Sequence, residues 1–119
     1  MEIIEIAKKI EEKIQEITVA RSLLKKRAED KAEKMSYYEK ELAKAIIGLK
    51  NGEEFAIEGK HIINPVNTLI EKIARGVCWE EKLNADLAET LYKNNIIALN
   101  TLMAQLNGLQ SINRYLQDL

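Results

Sequence analysis

The sequence predicts a mainly α protein: a long N-terminal amphipathic helix of coiled-coil character, a small β-hairpin, then a C-terminal helical hairpin or bundle. Three observations carry that expectation. Apolar residues recur at alternating spacings of three and four over the first ~48 residues. A Glu58-Gly59 pair, suited to a tight turn, separates two short apolar alternations. One proline and five glycines in 119 residues leave few interruptions between long helices. Residues 1–119 are read as one domain.

The first element is expected over residues 2–49. One apolar row is Ile3, Ile10, Ile17, Leu24, Lys31, Tyr38 and Ala45; the other is Ala7, Ile14, Arg21, Ala28, Met35, Leu42 and Leu49. Only Arg21 and Lys31 break the two rows, so a heptad seam persists for about seven heptads. Glu and Lys dominate the positions between, as a solvated face requires. At 1.5 Å per residue such a helix spans roughly 70 Å. A compact chain of this length has a diameter of roughly 35 Å. The remaining residues therefore cannot wrap it as a ball. An elongated homo-oligomer resolves the conflict; a break within Arg27–Lys34, where only alanines are apolar, or a monomeric helical hairpin are the alternatives.

Asn51-Gly52 ends the helix, with Gly52 suited to the left-handed residue beyond the last turn. A hairpin is expected over 53–64, pairing Ile57 with Lys60 and Phe55 with Ile62. An isolated hairpin is marginal in water, so its apolar side must pack on a helix or a partner. Asn64-Pro65 reads as a helix start, with Asn as cap and Pro in the first turn. The helical segment is drawn over 65–106, with Gly76 as a kink or stop. Asn107-Gly108 is a second stop, followed by a short helix over 109–118 that Ser111 caps.

Composition narrows the function classes. The chain is 46% hydrophobic and 31% charged, which places it among globular proteins. A net charge of −1 argues against bulk electrostatic binding to nucleic acid or to an anionic membrane. Within 21–34 the positive residues Arg21, Lys25, Lys26, Arg27, Lys31 and Lys34 outnumber Glu29, Asp30 and Glu33, a pattern that fits a solvated helix face better than a phosphate track. Cys78 is the only cysteine, so no intramolecular disulfide forms and a reducing compartment is expected. With an acidic opening and no apolar window of spanning length, a cytoplasmic location is expected and no membrane segment.

No arrangement of residues points to catalysis, so the expectation is a non-enzymatic protein with no cofactor and no metal. His61 stands without a histidine or cysteine companion and reads as a surface residue. Cys78 reads as a small buried thiol. Trp79 is either the largest core residue, slightly favoured, or an exposed anchor for a partner. Adjacent acids such as Glu53-Glu54 and Glu80-Glu81 point about 100° apart on a helix, so they solvate rather than cooperate. The asparagines Asn84, Asn94, Asn95, Asn100, Asn107 and Asn113 are poor helix formers; they are plain surface residues, selectors of register in a helical interface, or ligand contacts.

The segments Asn64-Pro65, Thr68–Gly76, Glu81-Lys82-Leu83 and Leu106–Leu116 resemble parts of small uncharacterised proteins encoded by phages and prophages of Gram-positive bacteria. The likeness covers about residues 50–116. It implies a viral accessory protein in the host bacterial cytoplasm, and it supplies no functional residues. Small phage proteins of this kind bind host factors; some inhibit host defence, as anti-CRISPR proteins do, and some capture nucleotide signals.

Three functions follow, in order. The first is a helical homo-oligomer, dimer or higher, that binds and inhibits or scaffolds a host protein, with Arg21, Lys25, Lys31, Tyr38 and Trp79 as interaction candidates. The second is a sponge for a nucleotide immune signal, with Arg75, Trp79, Lys93, Asn94, Asn95 and Arg114 lining pockets between subunits. The third is DNA binding through the basic stretch 21–34.

Overall fold

The computed structural model describes residues 2–119. They are mainly helical: α1 (Ile3–Lys50), strands β1 (Phe55–Ile57) and β2 (Lys60–Ile62), α2 (Ile70–Val77) and α3 (Trp79–Gln117). The chain divides into two compact units, Met1–Ala28 with Thr90–Leu119, and Glu29–Glu89.

Helix α1 is unbroken, so the alternative of a stop within Arg27–Lys34 does not occur. Alanine, glutamate, lysine and arginine are strong helix formers, and their propensity holds the backbone where large apolar residues are missing. The helix ends where its sequence demands. Glu53 N–H donates to the Gly48 carbonyl at 2.9 Å, and Gly52 N–H to the Leu49 carbonyl at 3.3 Å. Gly52 sits at φ +82°. Those paired bonds around a left-handed glycine satisfy carbonyls that the helix end leaves orphaned.

The hairpin has the expected register, Phe55 opposite Ile62 and Ile57 opposite Lys60. Glu58 and Gly59 turn it at φ +49° and +78°. Positive φ at both central residues matches the right-handed twist of the flanking strands. Two glycines let the hairpin settle on the helices of the Glu29–Glu89 unit. A Cβ on Gly48 would meet the Glu53 carboxylate and come within 2.9 Å of the Phe55 ring, and one on Gly76 would lie 3.1 Å from Ile57 Cδ1.

Beneath the hairpin lies the core of that unit: Ala45 and Leu49 of α1, Ile70 and Ala74 of α2, and Cys78 at the α2–α3 junction. Leu42, Phe55 and Ile73 pack around it. Leu49 is fully buried, which contributes about 1.5–3 kcal/mol.

Three boundaries differ from expectation. Pro65 does not open a helix. Asn64 takes φ +49°, whereas a helix cap needs an extended backbone. A single 3₁₀ turn over Asn67–Leu69 intervenes, and α2 begins at Ile70. The helical break falls at Cys78, with φ −95° and ψ 28°, two residues beyond Gly76. Finally, α3 runs through Asn107-Gly108 to Gln117, so no separate closing helix exists. Ser111 does not cap; its hydroxyl donates to the Asn107 carbonyl one turn back at 3.0 Å.

In the other unit, the first part of α1 packs antiparallel on the last part of α3. Lys13 Nζ donates to Gln105 Oε1 at 2.9 Å and to Glu16 at 3.0 Å, which marks the register. The first predicted row faces inward from Ile10 onward, whereas Ile3 is exposed. The second row holds at Ala28, Leu42 and Leu49, which stand inward, and is corrected elsewhere: Ala7, Ile14, Arg21 and Met35 are exposed, and Ile6, Lys13, Ala20 and Arg27 stand inward in the first half. In that half the predicted and observed second rows lie one residue, about 100°, apart, and a single neighbouring helix covers only one stripe. On α3 the inward row is Tyr92, Asn95, Leu99, Leu102, Leu106 and Leu109, again at alternating three and four.

Candidate interaction surfaces

In the Glu29–Glu89 unit, α3 opens with three exposed apolar side chains four residues apart, Trp79, Leu83 and Leu87. Trp79 is 58% exposed, so its burial, the slightly favoured expectation, is corrected. The reason is local: the break at Cys78 turns that residue inward, at 4% exposure, and its neighbour outward. Beside the indole, Ile57, Glu58, Gly76 and Val77 line a concavity of about 360 Å³.

A second cleft of about 400 Å³ lies over Gly48, Phe55 and Cys78, with Glu41, Glu53 and Glu81 on its rim. Burial pushes the Cys78 thiol above its ordinary value, and the Glu81 and Glu41 carboxylates add to the shift. That is the opposite of what a nucleophile needs. His61 is exposed on β2, its Nδ1 3.0 Å from Glu54 Oε1. Tyr38 is half-buried against the core, with Lys82 Nζ 5.5 Å from its ring centroid. Lys82 reaches Asp86 at 3.0 Å, which holds its ammonium above the usual lysine value. Arg75 is exposed and donates to Glu71 at 2.6 Å.

The other unit carries two grooves on one side of its helix pair. The first, about 470 Å³, runs from Lys9 and Glu12 on α1 to Gln105, Gly108 and Ile112 on α3. The second, about 660 Å³, is floored by Val19, Ala20, Leu23 and Leu102. Glu12 and Glu16 line both, so the two adjoin. Val19 is 69% exposed and Leu23 40%. Neither belongs to the predicted seam. The signal that locates them is their own i, i+4 spacing, displaced from the main rows by about a third of a turn.

The residues named for a nucleotide are not drawn into these grooves. Of the six, only Trp79 lines one of the four concavities; Arg75, Lys93, Asn94, Asn95 and Arg114 line none of them. Lys93 and Asn94 are exposed on α3, whereas Asn95 turns inward. Two buried nitrogens lack a hydrogen-bond partner among the described residues, Arg27 Nε and Asn95 Nδ2. In the basic stretch, Arg21, Lys25, Lys26 and Lys34 are exposed, whereas Arg27 and Lys31 are half-buried.

Among the described residues, no group of three or more His, Cys, Asp or Glu is gathered to hold a metal ion. No described helix is long and apolar enough to cross a membrane. No family model, no curated protein and no solved structure matches the chain.

Proposed function

We propose that this chain is a non-enzymatic, self-associating helical protein that acts by binding another protein. One observation carries the reading: the apolar surface left uncovered. Among the described residues twenty large apolar side chains are exposed, whereas the buried apolar set contains only four large ones, Ile6, Ile17, Leu49 and Ile70. The accessible surface is 8725 Å². A compact chain of this mass exposes about 6,600 Å², and even two separate compact bodies of half the mass expose only about 7,900 Å² together. The difference, about 800 Å², is surface beyond what compact bodies of this mass expose. The buried, neutral thiol of Cys78 and the exposed His61 support a role without catalysis. Trp79, exposed beside Leu83 and Leu87, suits protein recognition, because tryptophan is enriched among the residues that anchor interfaces. A bacterial host factor is the partner that the resemblance to phage-encoded proteins suggests.

Light scattering on the purified chain over a hundredfold concentration range tests the reading. The expected mass is twice that of the chain or more at micromolar concentration. A constant mass of 13.6 kDa throughout rejects it.

A further inference from the structure

We infer that the adjoining grooves over Val19, Leu23 and Leu102 and over Gly108 are the seat of a second copy of this chain, packed helix against helix. The inference rests on the self-association proposed above and assigns its surface.

Gly108 is the first argument. It lies inside a 39-residue helix, where glycine costs about 1 kcal/mol relative to alanine. The other glycines have reasons within the chain. Gly48 and Gly76 admit Phe55 and Ile57, and Gly52 and Gly59 take positive φ. Gly108 does neither: a Cβ built there meets nothing within 4 Å. A glycine that makes room for nothing in its own chain, on the wall of a groove, makes room for a backbone arriving from outside.

The second argument is periodicity. On α3, Leu91, Asn94, Ala98, Thr101, Gln105 and Gly108 follow one another at alternating three and four, and Ile112 and Tyr115 continue the row. All are exposed, and the row flanks the inward one by a single residue. The first part of α1 covers the inward row and leaves the apolar members of the flanking row, Leu91, Ala98, Ile112 and Tyr115, exposed. On α1 the groove wall is Lys9, Glu12, Glu16, Val19 and Leu23, also at three and four.

Charge selects a second copy as the occupant. The rim alternates Lys9, Glu12, Lys13 and Glu16, so it offers no net field to a strongly acidic or basic partner. A two-fold arrangement sets the positive members of one copy against the negative members of the other.

Three variants test this, each checked for helicity by circular dichroism: Val19→Glu with Leu23→Glu, Gly108→Leu, and Ile14→Glu as a control on an exposed residue that lines neither groove. Gly108→Leu raises helix propensity, so its fold is secure. The expected result is an oligomeric wild type, a twofold or greater loss of mass with each groove variant, and no change with Ile14→Glu. A wild type that is monomeric overturns self-association itself. An oligomeric wild type whose mass survives both groove variants, or falls only with Ile14→Glu, overturns the placement and leaves self-association standing. Groove variants that turn monomeric while staying helical support it.

Discussion

At the scale of single residues, close packing and protonation decide what each position tolerates. Gly48 is buried where the hairpin meets α1, and a methyl group there runs into the Glu53 carboxylate and the Phe55 ring. Glu53 is exposed and can swing away, but Phe55 must move within the unit that it helps to fill. Overpacking of this kind costs about 1–3 kcal/mol, more than alanine regains in helix propensity. Gly48→Ala should therefore lower the urea midpoint; an unchanged or raised midpoint places Phe55 elsewhere. Cys78 gives a pH prediction. Its thiol is raised above the ordinary 9.0, because burial and the Glu81 and Glu41 carboxylates disfavour the thiolate. The folded state thus holds this proton more tightly than the unfolded chain does. The resulting stability is fully present below the unfolded thiol's value and is lost as pH rises from there toward the folded one. Urea titrations from pH 7 to above 10 should show the wild type losing stability more steeply than Cys78→Ala above about pH 9. Parallel curves would mean that the thiol titrates alike in both states.

At the scale of elements, the sequence revealed what is set locally and concealed what depends on neighbours. The hairpin register was legible because Glu58-Gly59 admits one turn geometry and Phe55, Ile57 and Ile62 then share a side. The end of α1 was legible because Gly52 takes a left-handed conformation. Asn64-Pro65 misled because the same pair that opens helices also serves a chain reversal with Asn at positive φ. Gly108 misled for a different reason. Asn-Gly is a turn dipeptide when nothing holds it, but here α3 runs through it within a 39-residue helix. The asparagines divide by face. Asn94 and Asn100 are exposed, whereas Asn95 and Asn113 stand inward at seam positions. The buried Nδ2 of Asn95 has no partner among the described residues. An unpaired buried donor costs about 1–3 kcal/mol, a cost that helical seams bear where a polar residue selects one register. Asn95→Leu should raise the urea midpoint by an amount worth about 1 kcal/mol or more. A lower midpoint would show that the amide is satisfied and that its loss matters.

At the scale of the whole molecule, the proposed association bears directly on stability. Among the described residues the buried apolar set holds as many alanines as large side chains: Ala45, Ala74, Ala85 and Ala88 admit close backbones but remove little area from water. Large side chains that would add most to a core, among them Val19, Leu23, Leu87 and Trp79, remain on the surface. At about 25 cal/mol per Å² of apolar surface, covering even 500 Å² per copy contributes over 10 kcal/mol before the costs of association. Those costs are estimated at about 4–15 kcal/mol, so the balance rests on how well the helices fit. If a second copy supplies the missing cover, unfolding must be coupled to dissociation, and mass action makes the apparent stability depend on concentration. The thermal midpoint should therefore rise steadily as the chain is concentrated from about 1 to 100 μM. The Gly108→Leu variant should unfold at a midpoint independent of concentration, below the wild type at the high end and close to it at the low end. A wild-type midpoint that stays constant across that range would mean that the fold holds without a second copy. The exposed leucines and Trp79 would then be available only to a different protein.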